Sequence, residues 1–129
     1  MHKRTKILLI VLIVIGIISL LGTYFIRQIN QEMNELTVSE IPTINLSNIE
    51  DGTYMGTYQS MLITVKLEVV IQNHVITNIT IMEHQNGQGD SAEVIIDDVI
   101  NMQSIEVDFI SGASYSSKAI LLAIGDALS

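Results

Sequence analysis

The chain has 129 residues, with no cysteine or tryptophan, a single proline, and fourteen acidic against six basic side chains. The absence of cysteine excludes a lipid-modified cysteine anchor and structural disulfides, and the length leaves room for one small domain plus a targeting segment. Lys3, Arg4, Lys6 and Arg27 all lie near the N-terminus, so the remainder sets only Lys66 and Lys118 against all fourteen carboxylates, a balance that opposes binding to nucleic acid or anionic lipid.

Residues 1–6 form a basic start. Residues 7–26, ILLIVLIVIGIISLLGTYFI, are an uncharged apolar run of 20, the length a helix needs to cross a hydrocarbon core. A buried core helix is the weaker reading, because a domain of about a hundred residues would have to enclose it. The preceding Lys3, Arg4 and Lys6 place the N-terminus in the cytoplasm by the positive-inside rule, and Tyr24 and Phe25 stand where an interfacial aromatic belt would be. A cleaved secretory signal competes with this reading. The run is long for a signal core and lacks a small-x-small exit, so an uncleaved, single-pass signal anchor is expected, with the rest of the chain extracytoplasmic.

Residues 27–50 are polar, contain Pro42, and read as a stalk or linker. The domain is expected over 51–129. Asp51 to Gln59 pairs a turn with β-favouring residues, and Met61 to Gln72 alternates, with Ile63, Val65, Leu67, Val69 and Ile71 on one face. Asn73-His74 is a two-residue hairpin candidate. After it comes Val75 to Glu83, with Val75, Thr77, Ile79 and Ile81 expected on a shared face. His84 to Asp90 reads as a polar loop. Asp90-Ser91-Ala92-Glu93 then resembles a capping box for a helix carrying Ala92, Ile95, Ile96, Val99 and Ile100.

Ser104 to Ile110 reads as a short strand. A second amphipathic helix begins near Ser114 to Ser117 and buries Ile120, Ala123, Ile124, Ala127 and Leu128. The fold class is therefore α+β, a small antiparallel sheet covered by two helices and preceded by one transmembrane helix.

Chemistry concentrates in Asp108 to Ser117, DFISGASYSS. Gly112 and its small neighbours Ser111, Ala113 and Ser114 permit a sharp turn, and the helix that follows adds its dipole and unpaired first-turn N–H groups. Two readings stand at this point: a phosphate-binding turn, or an ordinary N-cap supplied by Ser114, Ser116 or Ser117. Met55, Met61, Met82 and Met102 read as gap-filling or surface residues, and no carboxylate pair or histidine cluster has metal-ligand spacing.

Three stretches in order, DGTYMG at Asp51 to Gly56, the two strands leading into Glu83-His84, and VDFISGASYSSKAI at Val107 to Ile120 followed by AIGDAL, resemble a known family. It is the small FMN-binding domain of peripheral flavin subunits of sodium-pumping NADH:quinone reductase and Rnf complexes, found also in stand-alone membrane-anchored flavoproteins. The resemblance implies FMN as cofactor. In modified members the phosphate is esterified to the last hydroxyl of a pattern that Asp108, Ser111, Gly112, Ala113 and Ser114 match, by a flavin transferase using FAD and magnesium. Serine stands at 114 where threonine is usual, so covalent and non-covalent FMN both remain open.

Gly112 and Ala113 would offer N–H groups to the phosphate, Ser111, Ser116 and Ser117 hydroxyls, and Lys118 a positive charge, the alternative for Lys118 being a solvated surface lysine. Asp108 would align the acceptor or cap the turn. Tyr54 and Gly56 read first as core packing and a bulge, and second as flavin contacts. His84 reads as solvated, with contact to the flavin edge as the other option. The implied role is non-catalytic electron transfer between a membrane reductase, redox complex or quinol and another acceptor. The alternatives are an extracytoplasmic flavin-dependent reductase and a flavin-free sensor or assembly module of the same fold.

Overall fold

Twenty uncharged residues leave helix α1, His2–Val38, without a polar stripe along most of its length. Its large side chains from Ile7 to Ile26 are exposed, and a helix satisfies its own backbone hydrogen bonds, the condition for a chain in hydrocarbon. It is long and apolar enough to cross a membrane, consistent with a single-pass protein. The computed structural model describes residues 2–85 and 90–129, and the chain divides into two compact units, Met1–Asn34 and Glu35–Ser129.

Strands β1 (Gly52–Gln59), β2 (Thr64–Gln72) and β3 (Val75–Gln85) form an antiparallel sheet in that order. The alternation expected in β2 holds throughout, with Ile63, Val65, Leu67, Val69 and Ile71 buried. Asn73 and His74 make the two-residue turn at φ 54° and 60°, the double left-handed geometry of a type I′ hairpin. His74 sits in that region with its Nδ1 donating to the Ile49 carbonyl, 2.8 Å away.

The inward face of β3 differs from expectation. Val75 and Thr77 are exposed and Ile76 is buried, because Val70 pairs with Asn78 while Ile71 pairs with Ile76, leaving Thr77 as an extra residue. A second slip leaves Met82 unpaired between Leu67↔Ile81 and Lys66↔Glu83. Each slip by one residue exchanges the faces of everything beyond it. Glu83 therefore points outward, where it meets Lys66 at 2.6 Å, and His84 points into the core opposite Val65.

Beyond the sheet, a 3-10 turn at Asp90–Val94 leads into α2, Ile95–Met102. Ala92, Ile95 and Val99 are buried, as their spacing predicts. The side chain of Asp90, half of the expected capping box, lies outside the described residues, as do residues 86–89 of the expected polar loop. Gln103 closes α2 in the left-handed conformation, φ 52°.

Ser104 to Ile110 is not a strand. It has no regular secondary structure and does not join the sheet, and the β3 edge is already closed at Ile76, whose N–H and C=O both bond the Gln103 side-chain amide.

Helix α3, Ser114–Leu128, is the centre of the domain. It packs on β1 and β2 and buries all five residues expected of it, together with Ala119 and Leu121. It is covered on more than one side because residues 35–50, within the expected stalk, belong to the compact unit. Leu36 is buried, Ile41, Ile44, Leu46 and Ile49 pack on the core, and Pro42 lies against Gly125. Ser39 closes the last turn of α1, its N–H reaching the Glu35 carbonyl at 2.9 Å.

Candidate functional site

The turn from Ile110 to Ala113 is closed by Ala113 N–H donating to the Ile110 carbonyl at 3.0 Å. Gly112 occupies its third position at φ +79°, where a Cβ is disfavoured and glycine is the usual residue. Nothing crowds Gly112 within 4 Å. The turn is thus shaped by backbone requirement while its outer surface stays open.

Helix α3 starts directly after it, with Ala113 at the N-cap position and no side chain capping it. The first-turn N–H groups and the positive end of a 15-residue helix therefore meet at Ser114, without the side-chain cap that an ordinary serine N-cap would supply. Such a terminus is suited to an anion.

The serines divide into two groups. Ser111 and Ser114 are exposed, whereas Ser116 and Ser117 are buried. Ser117 Oγ accepts from the Ile110 N–H at 3.0 Å, and its own N–H donates to the Ala113 carbonyl at 2.9 Å, so Ser117 shapes the turn from beneath. Ser117→Ala leaves the Ile110 N–H unpaired, and about 1–2 kcal/mol of stability should be lost. Thermal unfolding of the full chain in detergent should show the loss, while the exposed Ser114 hydroxyl is untouched.

Lys118 is half-buried, and its Nζ donates to the Thr37 carbonyl at 2.7 Å. It thereby satisfies one of the free carbonyls in the last turn of α1. Asp108 is exposed in the irregular segment before the turn. Tyr54 is half-buried, with its hydroxyl donating to the Glu50 carbonyl at 2.8 Å. Gly56 is buried under α3, and a Cβ there would lie 2.8 Å from Ala127 Cβ. Close helix approach accounts for the glycine. Met55, Met61, Met82 and Met102 are exposed, and among the described residues no acidic, histidine or cysteine group could hold a metal ion.

His84 is the residue the sequence reading places least well. Its side chain is 1% exposed, not solvated. Nδ1 lies 2.9 Å from Glu93 Oε1, while Nε2 is buried without a hydrogen-bond partner. The bulge at Met82 that turns it inward has no sequence signature of its own.

The class is thus an α+β domain whose central helix opens uncapped on a glycine turn, in a chain with one membrane-length apolar helix near its N-terminus, consistent with a membrane-anchored protein. The FMN-binding domain family matches residues 62–129, more than half of the chain, and the protein belongs to that family. A search among curated proteins returned no match. The residues present fit FMN. The open turn and helix terminus suit its phosphate, and a buried, unpartnered ring nitrogen is a polar atom still lacking its complement.

Proposed function

We propose that this protein is a membrane-anchored electron carrier whose FMN phosphate sits at Ser111–Ser114, with Ser114 as the point of covalent attachment when a flavin transferase is present. The observation that carries the reading is the exposed Ser114 hydroxyl on the first residue of an uncapped helix. Gly112 and Ala113 supply the turn, Ser111 a second exposed hydroxyl, and Asp108 a carboxylate for aligning the acceptor. Ser116, Ser117 and Lys118 support the helix start from within.

In the attachment step, Ser114 Oγ bonds to the FMN-side phosphorus of FAD and the pyrophosphate bond to the adenylate breaks. AMP leaves, and the hydroxyl proton passes to a base of the transferase. FMN, once held, supplies the redox chemistry. The chain's own task is to bind and orient it and to exclude water around it.

Lys3, Arg4 and Lys6 favour a cytoplasmic N-terminus, which puts the flavin on the outer side of the membrane. Electrons then arrive from a membrane reductase, redox complex or quinol and leave to an extracytoplasmic acceptor. Ser114→Ala, co-expressed with a transferase, should carry no covalent flavin, seen as loss of in-gel fluorescence after denaturation. The same chain should still bind FMN reversibly through the turn. Retention of the adduct in Ser114→Ala would move the attachment site elsewhere.

A further inference from the structure

His84 Nε2 is, among the described residues, the one buried side-chain nitrogen or oxygen without a hydrogen-bond partner. Burying a polar atom unpaired costs about 1–3 kcal/mol, so the site calls for a complement. The cost is structurally avoidable. Without the extra residue at Met82, the β3 register would turn His84 outward. Bulges that re-aim a side chain are concentrated beside functional sites.

The chemistry of the missing partner follows from Glu93. An ionised carboxylate only accepts hydrogen bonds, so the contact at 2.9 Å assigns the ring proton to Nδ1. In the neutral imidazole, Nε2 is then a lone-pair acceptor with fixed direction. Glu93 is a positioning residue that holds this tautomer, as carboxylates do for histidines in other sites.

The placement ties this atom to the proposed cofactor site. Tyr58, Val65 and His84 are directly paired across the three strands at one end of the sheet. Helix α3 runs antiparallel to β1. Its Ala127 and Leu128 border Tyr54, Ala127 lies over Gly56, and Asp126 accepts from the Thr57 N–H at 2.9 Å. From Asp126 back to Ser114 is about 18 Å of helix, whereas Thr57 to the end of β1 is only about 7 Å. The uncapped start of α3 therefore projects roughly 11 Å past the sheet end that holds His84, and the turn carrying Glu93 touches α3 as well.

We propose that His84 Nε2 accepts a hydrogen bond from the isoalloxazine ring of FMN. The oxidised ring offers one N–H, at N3, between two carbonyls, and it matches a lone acceptor. The ribityl chain carries the ring from the phosphate at Ser114 toward His84. This inference rests on the proposed FMN function and adds the residue that fixes the ring's pyrimidine edge.

The test uses the full chain in detergent, produced without transferase and labelled with ¹⁵N-histidine, before and after adding FMN. His2 and His74 serve as internal references, since the chain has three histidines. The Nε2 resonance of His84 should move by several parts per million on FMN addition, with Nδ1 remaining protonated and the other two histidines unchanged. His84→Leu should weaken reversible FMN binding roughly tenfold, and Glu93→Leu, which removes the acceptor at Nδ1, should alter the His84 tautomer in the same spectrum.

FMN that binds, judged by quenched fluorescence, without moving the His84 resonance overturns this inference and leaves the flavin function standing. Nε2 found bonded to a water both before and after FMN addition overturns it equally. A chain that takes up no FMN overturns both.

Discussion

Gly56→Ala should lower the stability of the domain by about 3 kcal/mol, at the upper end for overpacking a filled core. The added Cβ would meet the Ala123 carbonyl oxygen and lie 2.8 Å from Ala127 Cβ and 2.9 Å from Ala127 N. Two of these three atoms are helix backbone, which cannot rotate away as a flexible side chain would. The helix must move off β1, and α3 is the element on which sheet and turn converge. For a unit of this size the midpoint of thermal unfolding should fall by roughly 12–24 °C, measurable by circular dichroism in detergent. Loss of only a few degrees would mean that α3 rides on β1 less closely than the structure has it.

Gln103→Asn should cost about 2–3 kcal/mol although the residue is only half-buried. One side-chain amide closes the β3 edge, accepting from Ile76 N–H at 2.7 Å and donating to the Ile76 carbonyl at 2.9 Å and the Ile100 carbonyl at 2.7 Å. Ile76 itself is buried, so its N–H would be left without water or partner. Asparagine accepts the left-handed backbone at least as well as glutamine, but its amide is one methylene short. The substitution thus isolates the lost hydrogen bonds from backbone strain. Native stability in Gln103→Asn would show that water replaces the amide at this edge.

The parts of the fold that were legible rest on strict periodicity. The alternating apolar residues of β2 and the helical spacing of α3 each encode one buried face, and both faces are buried as expected. The class, an antiparallel sheet with flanking helices after an apolar N-terminal helix, follows from those patterns.

Beta-strand β3 was legible only in outline, because two bulges shift its register without any local mark in the sequence. Met82 looks like any strand residue, and its consequence is felt two residues later at His84. Residues 35–50 read as linker because Leu36, Ile41, Ile44, Leu46 and Ile49 follow neither helical nor strand spacing. They are nonetheless packed on the core. Gln103 gave no signal, since its role depends on an edge strand distant in sequence.

The turn was legible as a turn from Gly112 and its small neighbours. Which serine faces outward was not. Ser114 and Ser117 are three positions apart at the start of one helix, and only the packing of α3 assigns one to solvent and the other to the Ile110 N–H. Ser114, the residue that the family resemblance marks, is one of two exposed serines at the turn, Ser111 being the other.

The central claim, that the chain carries FMN at the turn before α3, is tested most directly by the mass of the full chain purified from cells that make FMN and a flavin transferase. The account predicts a yellow protein with one FMN, less one water, added per chain, and with the adduct mapped to Ser114 in the tryptic peptide ending at Lys118. A colourless chain of unmodified mass, which also fails to take up FMN added after purification, would contradict it.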